Sequence, residues 1–186
     1  MLFRSDGVDL WLSSYPGYQA PYYTGTVRVY WNSTSSCSGN PPAPAAIEVV
    51  LISGPAAPNT LTSPVTTRFA ADACGTRNTN SNHFTTAVIV SGAPFTVDGK
   101  PGFQHAIDVA MPAGNTNGII ARIIPLYANT IVGVSGPTNF PQQGTVVSST
   151  GSSGETRRKI TVFQGYPKIP NEFFSFRTPT PMLPAS

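Results

Sequence analysis

Short apolar runs that alternate at period two, each cut by glycine, proline or asparagine, constrain this chain more than any other feature. Gly25 to Trp31 (GTVRVYW) puts Val27, Val29 and Trp31 on one side of an extended backbone and Arg28 and Tyr30 on the other. That is the pattern of a half-buried strand. Val8, Leu10 and Leu12 repeat it, as does Ala45 to Ile52 (AAIEVVLI), where Ile47, Val49 and Leu51 face a core and Glu48 points away. Thr66 to Ala71, Thr85 to Ser91, Phe103 to Met111 and Ile119 to Tyr127 read as further strands, as do the shorter Thr130 to Ser135 and Gly144 to Ser149. Asp98-Gly99 between two of them is a hairpin signal. No stretch carries a convincing 3.6-residue period.

About ten short strands punctuated by Gly and Pro predict an all-β fold, an antiparallel β-sandwich or a barrel-like relative, with the sandwich as the expectation. The immunoglobulin signature is absent, because Trp31 precedes Cys37 and does not sit midway between the cysteines. Residues 1–178 are expected to form one domain, and the Pro-rich 179–186 a disordered tail. The most elaborately patterned stretch is Gly154 to Phe176. A flexible Gly/Ser approach (Thr150 to Gly154) leads to Glu155, Arg157, Arg158 and Lys159, then an apolar strand with Ile160, Val162 and Phe163. The stiff corner Tyr166 to Pro170 (YPKIP) and the aromatics Phe173, Phe174 and Phe176 close it.

Charge narrows the setting. Only 10% of residues are charged, against roughly 25% in an average soluble domain. Solubility therefore rests on Ser, Thr and Asn, as is common in secreted and surface-layer proteins. The net charge of +3 is scattered, and nucleic-acid binding, which wants a basic face or stripe, is not expected. Arg157, Arg158 and Lys159 form the one basic cluster, a candidate contact patch whose simpler reading is a solvated hairpin shoulder. Cys37 and Cys74 show no CxxC spacing, so zinc and dithiol redox chemistry have no support. In an oxidising compartment they would pair, and in the cytosol they would stay two thiols; the composition favours the disulfide. Met1-Leu-Phe-Arg4 offers no apolar leader and no run approaches the roughly 20 residues of a membrane span. The chain thus looks exported yet carries no export signal, so either its natural start lies upstream of Met1 or it belongs to another compartment.

Catalytic motifs are missing: no GxSxG, HExxH or P-loop pattern occurs. His105 shares its strand face with Ile107, Val109 and Met111, which reads as a structural histidine at the core edge. His83 lies in an Asn-rich run (Arg77 to His83) that could offer oxygens to calcium, but the segment holds a single carboxylate, Asp72. An Asx-turn loop is the default there, and neither metal nor cofactor is expected. The carboxylates Asp6 and Asp9, or Asp98 and Asp108, could pair across a cleft as in glycosidases, although any β-protein has such pairs. Exposed Tyr18, Tyr22, Tyr23 and Tyr30 are the candidate ligand-contact aromatics, able to stack on sugar rings or to pair across strands.

The order of segments adds a resemblance. Val27 to Trp31 (VRVYW), Cys37 in a polar loop, Ala45 to Ile52, Arg68 to Arg77 (RFAADACGTR), Asn82 to Phe84 (NHF) and Ile123 to Tyr127 (IIPLY) are its first pieces. Gly133-Val134, Gln143-Gly144, Gly154 to Val162 and Tyr166 to Pro170 complete it. In this order the chain resembles, over residues 25–176, the extracellular domain of PilX-like, pilin-related surface proteins of candidate-phyla bacteria. The resemblance implies a non-enzymatic, type IV pilus-like protein at the cell surface, acting in filament assembly or attachment. Its partners would be other pilin-like subunits or cell-surface components, and it would meet the membrane only through an N-terminal helix absent from this chain. The ending Asn171 to Phe176 departs from the Phe-Asp-aromatic-aliphatic close of that pattern. A carbohydrate-binding module or adhesin head that contacts glycan through the Tyr-rich loops is the alternative. A viral capsid or tail β-domain is a weaker one.

Overall fold

The computed structural model describes residues 2–3, 7–31, 37, 44–56, 61–74, 84, 89–170 and 174. In chain order the strands are β1 (Leu2–Phe3), β2 (Val8–Trp11), β3 (Val27–Trp31), β4 (Ala46–Gly54), β5 (Val65–Ala71) and β6 (Ile89–Val97). β7 (Lys100–Val109), β8 (Asn117–Leu126), β9 (Thr130–Ser135), β10 (Gly144–Ser153) and β11 (Thr156–Gly165) follow. One sheet has the order β1-β9-β3-β7-β6, the second β2-β8-β4-β5, and β10 pairs with β11 alone. Every pairing is antiparallel. The sheets stay separate and pack face to face, so the fold is the β-sandwich that the alternation predicted, while the β10–β11 hairpin, expected to supply its last strands, pairs with neither sheet.

The core lies where the alternating faces predicted it. Val27, Val29 and Trp31 from β3, with Ile107 and Val109 from β7, meet Ile47, Val49 and Leu51 from β4 and Ala121 and Ile123 from β8. Trp31 is fully buried, and its indole Nε1 donates to the Ala45 carbonyl at 2.9 Å, so its one polar atom is satisfied. At one end of the sandwich Cys37 and Cys74 form a disulfide with Cα atoms 5.5 Å apart. Cys37 follows β3 of one sheet and Cys74 follows β5 of the other, so the bond staples the two layers.

The outer faces differ from a simple polar exterior. On the five-stranded sheet Tyr30 packs with Phe103 and Phe95. Gly133 lies directly opposite Tyr30, and a Cβ there would come 2.9 Å from the Phe103 ring. The missing side chain makes room for that ring to lie across the sheet. Beside it Arg28 and Asp108, cross-strand neighbours, form a bidentate ion pair with both oxygens at 2.6 Å. Arg28 holds the Asp108 carboxyl below the usual range, so this pair is a surface staple.

Two expectations about the strands need correction. Thr150 to Ser153 is not a flexible approach but the paired end of β10, because Thr156 to Lys159 supply its partner strand. The strand expected at Thr85 to Ser91 continues from Ile89 to Val97, with register shifts before and after Phe95; residues 85–88 lie outside the described ones, as do 75–83 and the tail 179–186. The Asp98-Gly99 turn is as expected, with both residues at positive φ (49° and 69°).

Candidate functional site

The four-stranded sheet has a second buried face, and the site is built there. Val50 and Ile52 on β4 alternate away from the core, which would leave them in water on a two-layer sandwich. Instead Val50 is buried with Trp11, Ile119, Ile120 and Phe174 beneath the segment that follows β11. Arg122 on β8 fastens that segment. Its Cα pairs with Asp9 on β2 and Val50 on β4, so a cation stands mid-sheet with only 2% of its side chain exposed. Nε donates to Asp9 Oδ1 at 2.6 Å and Nη2 to Oδ2 at 2.8 Å. Nη2 also donates to the Ile169 carbonyl, and Ile169 N–H donates to Asp9 Oδ2 at 2.8 Å. The guanidinium lies 4.0 Å from the Phe174 ring centre. Arg68 on β5 donates to Glu48 Oε1 at 2.5 Å and to the Phe174 carbonyl. Two arginines thus strap residues 166–170 and Phe174 across the sheet.

The loop after β2 closes the other side. Tyr15 stacks on Tyr166 at 4.2 Å, and Trp11 meets Tyr15, Tyr18 and Tyr166 at 4.9, 5.4 and 6.0 Å. Gln143 caps the β2 edge: its Oε1 accepts from Trp11 N–H at 2.8 Å, and its Nε2 donates to the Trp11 carbonyl at 2.8 Å. Between strap, loop and β5 runs an apolar groove of about 780 Å³, lined chiefly by Trp11, Tyr15, Tyr18, Leu61, Ile119 and Ile169, with Lys168 on its wall.

Of the four tyrosines expected as a platform, the structure places only Tyr18 on this groove. Tyr22 is half-buried and its hydroxyl donates to the Tyr18 carbonyl at 2.9 Å. Tyr23 and Tyr30, expected to be exposed, are not. Tyr23 is 2% exposed in the core, its hydroxyl donating to Thr26 O at 3.0 Å. Tyr30 is buried on the other sheet, its hydroxyl 3.0 Å from Ser135 Oγ. Trp11 and Tyr15 were missed, although the Tyr/Pro clusters at 15–23 and 166–170 were the visible signal. Arg157, Arg158 and Lys159 stand on β11 opposite Ser152, Gly151 and Thr150, an exposed hairpin shoulder as the simpler reading had it.

Other candidate chemistry resolves into structure. Asp9 and Asp108 are ion-paired, and Asp72 Oδ1 accepts the Cys74 N–H at 2.9 Å in an Asx turn. Asp6 and His83 lie outside the described residues. Among the described residues no three His, Cys, Asp or Glu side chains gather as metal ligands, and no helix is long and apolar enough to cross a membrane. His105 is buried, its ring 5.6 Å from that of Trp31. Burial pushes its pKa below the ordinary 6.5, and the nearby Asp72 carboxylate opposes the shift only partly. Folded His105 therefore binds a proton less readily than the unfolded side chain. Its stabilising contribution is whole above the unfolded value and declines as pH falls through 6.5 toward the folded value. The urea midpoint should be lower at pH 5.5 than at pH 7.5, and His105→Gln should flatten that difference. An unchanged slope in the variant would assign the effect to other groups.

Compared with known proteins, the chain matches no family model, no curated protein and no solved structure.

Proposed function

We propose that this chain is a non-enzymatic structural domain that works at a cell surface, in assembly or attachment, as the pilin-like resemblance implies. The disulfide supports an oxidising, extracytoplasmic setting. The charge-poor, Ser/Thr/Asn-rich composition fits the same setting. The observation that carries the assembly reading is the β10–β11 hairpin, whose strands are exposed on both faces beyond Gly144 yet hold Val146, Val147, Ile160, Val162 and Phe163. A sandwich complete without such an arm has use for it in joining something else.

The test is where the protein resides and in what state. In the cells that make it, surface biotinylation should label the intact chain, and the thiols should resist alkylation until reduced. Recovery only inside the cytoplasm, with both cysteines alkylating freely, would sink the reading.

A second reading, glycan attachment, is favoured by one observation: Tyr15 is 37% exposed beside an aromatic groove. On that reading Tyr18→Ala lowers binding on a glycan array, whereas Tyr22→Ala leaves it nearly unchanged. Absence of glycan binding by the unaltered protein would remove it.

A further inference from the structure

We infer that the β10–β11 arm joins this chain to a second copy of itself, through antiparallel pairing of the two β10 edges about a two-fold axis at Val147. The inference deepens the assembly reading and rests on it.

The arm presents what such pairing needs. Its two ten-residue strands reach roughly 33 Å at about 3.3 Å per residue. An isolated two-stranded ribbon is at best marginally stable in water. Each strand has one neighbour among the described residues, so each offers a free edge of N–H and C=O groups. Charge separates the two edges. β11 (TRRKITVFQG) carries Arg157, Arg158 and Lys159, the kind of residues that keep edge strands from pairing. β10 (GTVVSSTGSS) has no charged residue in its whole length. Pairing β10 with β10 buries the unprotected edge and leaves the cationic strands as the two outer edges of a four-stranded sheet.

Side chains choose the register. Val147 lies directly opposite Val162, and Ser149 opposite Ile160, on one face of the arm. A two-fold at Val147 sets Val147 beside its own copy, so that Val162, Val147 and their two equivalents form one continuous row with Ile160 at each flank. Gly144 then faces the other copy's Thr150. The tip beyond Thr150 consequently extends past the root of the other arm, alongside its sandwich. Gly144 to Thr150 of each copy pair across the axis, a strip narrower than the roughly 20–30 residues per side of a standard interface, so the backbone ladder and the valine row supply the contact. A two-fold contact also closes, giving a dimer in place of an open fibre.

Sedimentation equilibrium on the full chain at micromolar concentration should return about twice the 19.6 kDa monomer mass. Val147→Asp sets two carboxylates side by side on the axis and should weaken the dimer at least ~100-fold. That side chain is half exposed in the single chain, so the fold should survive, which circular dichroism checks. Leu61→Asp, on the groove, should leave the dimer intact. Val147→Cys should cross-link the dimer under mild oxidation, and Ser149→Cys, two residues off the axis, should not. A monomer at all concentrations, a dimer indifferent to Val147→Asp, or one broken by Leu61→Asp instead would overturn the inference. Surface labelling is read independently, so a surface-located monomer would reject the arm pairing and leave the assembly reading standing.

Discussion

Arg122→Ala should lower the unfolding free energy by about 3–5 kcal/mol, the range for removing one partner of a buried ion pair. Asp9 would then stay buried with one donor, Ile169 N–H, in place of three. The Ile169 carbonyl would lose the Nη2 donor, and Phe174 its cation. For a chain of this size the loss corresponds to a fall in melting temperature of roughly 6–20 °C. Arg122→Lys should recover little, because an ammonium cannot reproduce the bidentate fork while also reaching the Ile169 carbonyl. The paired change Asp9→Leu with Arg122→Met should cost much less than either single loss, since no charge is left stranded. A double-mutant cycle by urea denaturation separates the terms. If Arg122→Ala and the paired change cost the same, the pair is not what holds the strap.

Loss of the disulfide is the second large effect. Cys37 and Cys74 close a loop with a sequence separation of 37, for which the chain-entropy model gives about 3–4 kcal/mol. Cys37→Ala with Cys74→Ala should reduce stability by about 2–5 kcal/mol, and reduction of the native protein should do the same. Denaturant midpoints with and without reductant measure it. Equal midpoints would mean that the reduced chain is already as constrained as the oxidised one.

Much of this architecture was legible in the residues. GTVRVYW and AAIEVVLI state which side chains face a core, because alternation is a local property of an extended chain with side chains on opposite faces. The same reasoning placed His105 inside and the Arg157–Lys159 cluster on a hairpin shoulder. It failed for Tyr23 and Tyr30. A tyrosine that alternates away from the core is expected in water, and nothing local announces that Phe103 will lie over Tyr30 because Gly133 leaves room. Nor does local pattern say that Val50 will be covered a second time, which is why Trp11 and Tyr15 were missed.

The all-β class, the parity of the core strands, the Asp98-Gly99 turn and the pair of cysteines available to be joined are thus written in the residues themselves. All of these follow from interactions between residues close in the chain or from composition. The tertiary structure alone decided which strands neighbour one another, and hence the site. Asp9 and Arg122 are 113 residues apart, and Asp9 and Ile169 are 160 apart. They meet because β2 pairs with β8 and the segment after β11 returns across that sheet. Separations of that size leave no periodicity to read, since the pairing free energy depends on sheet order and on burial created only when the layers close.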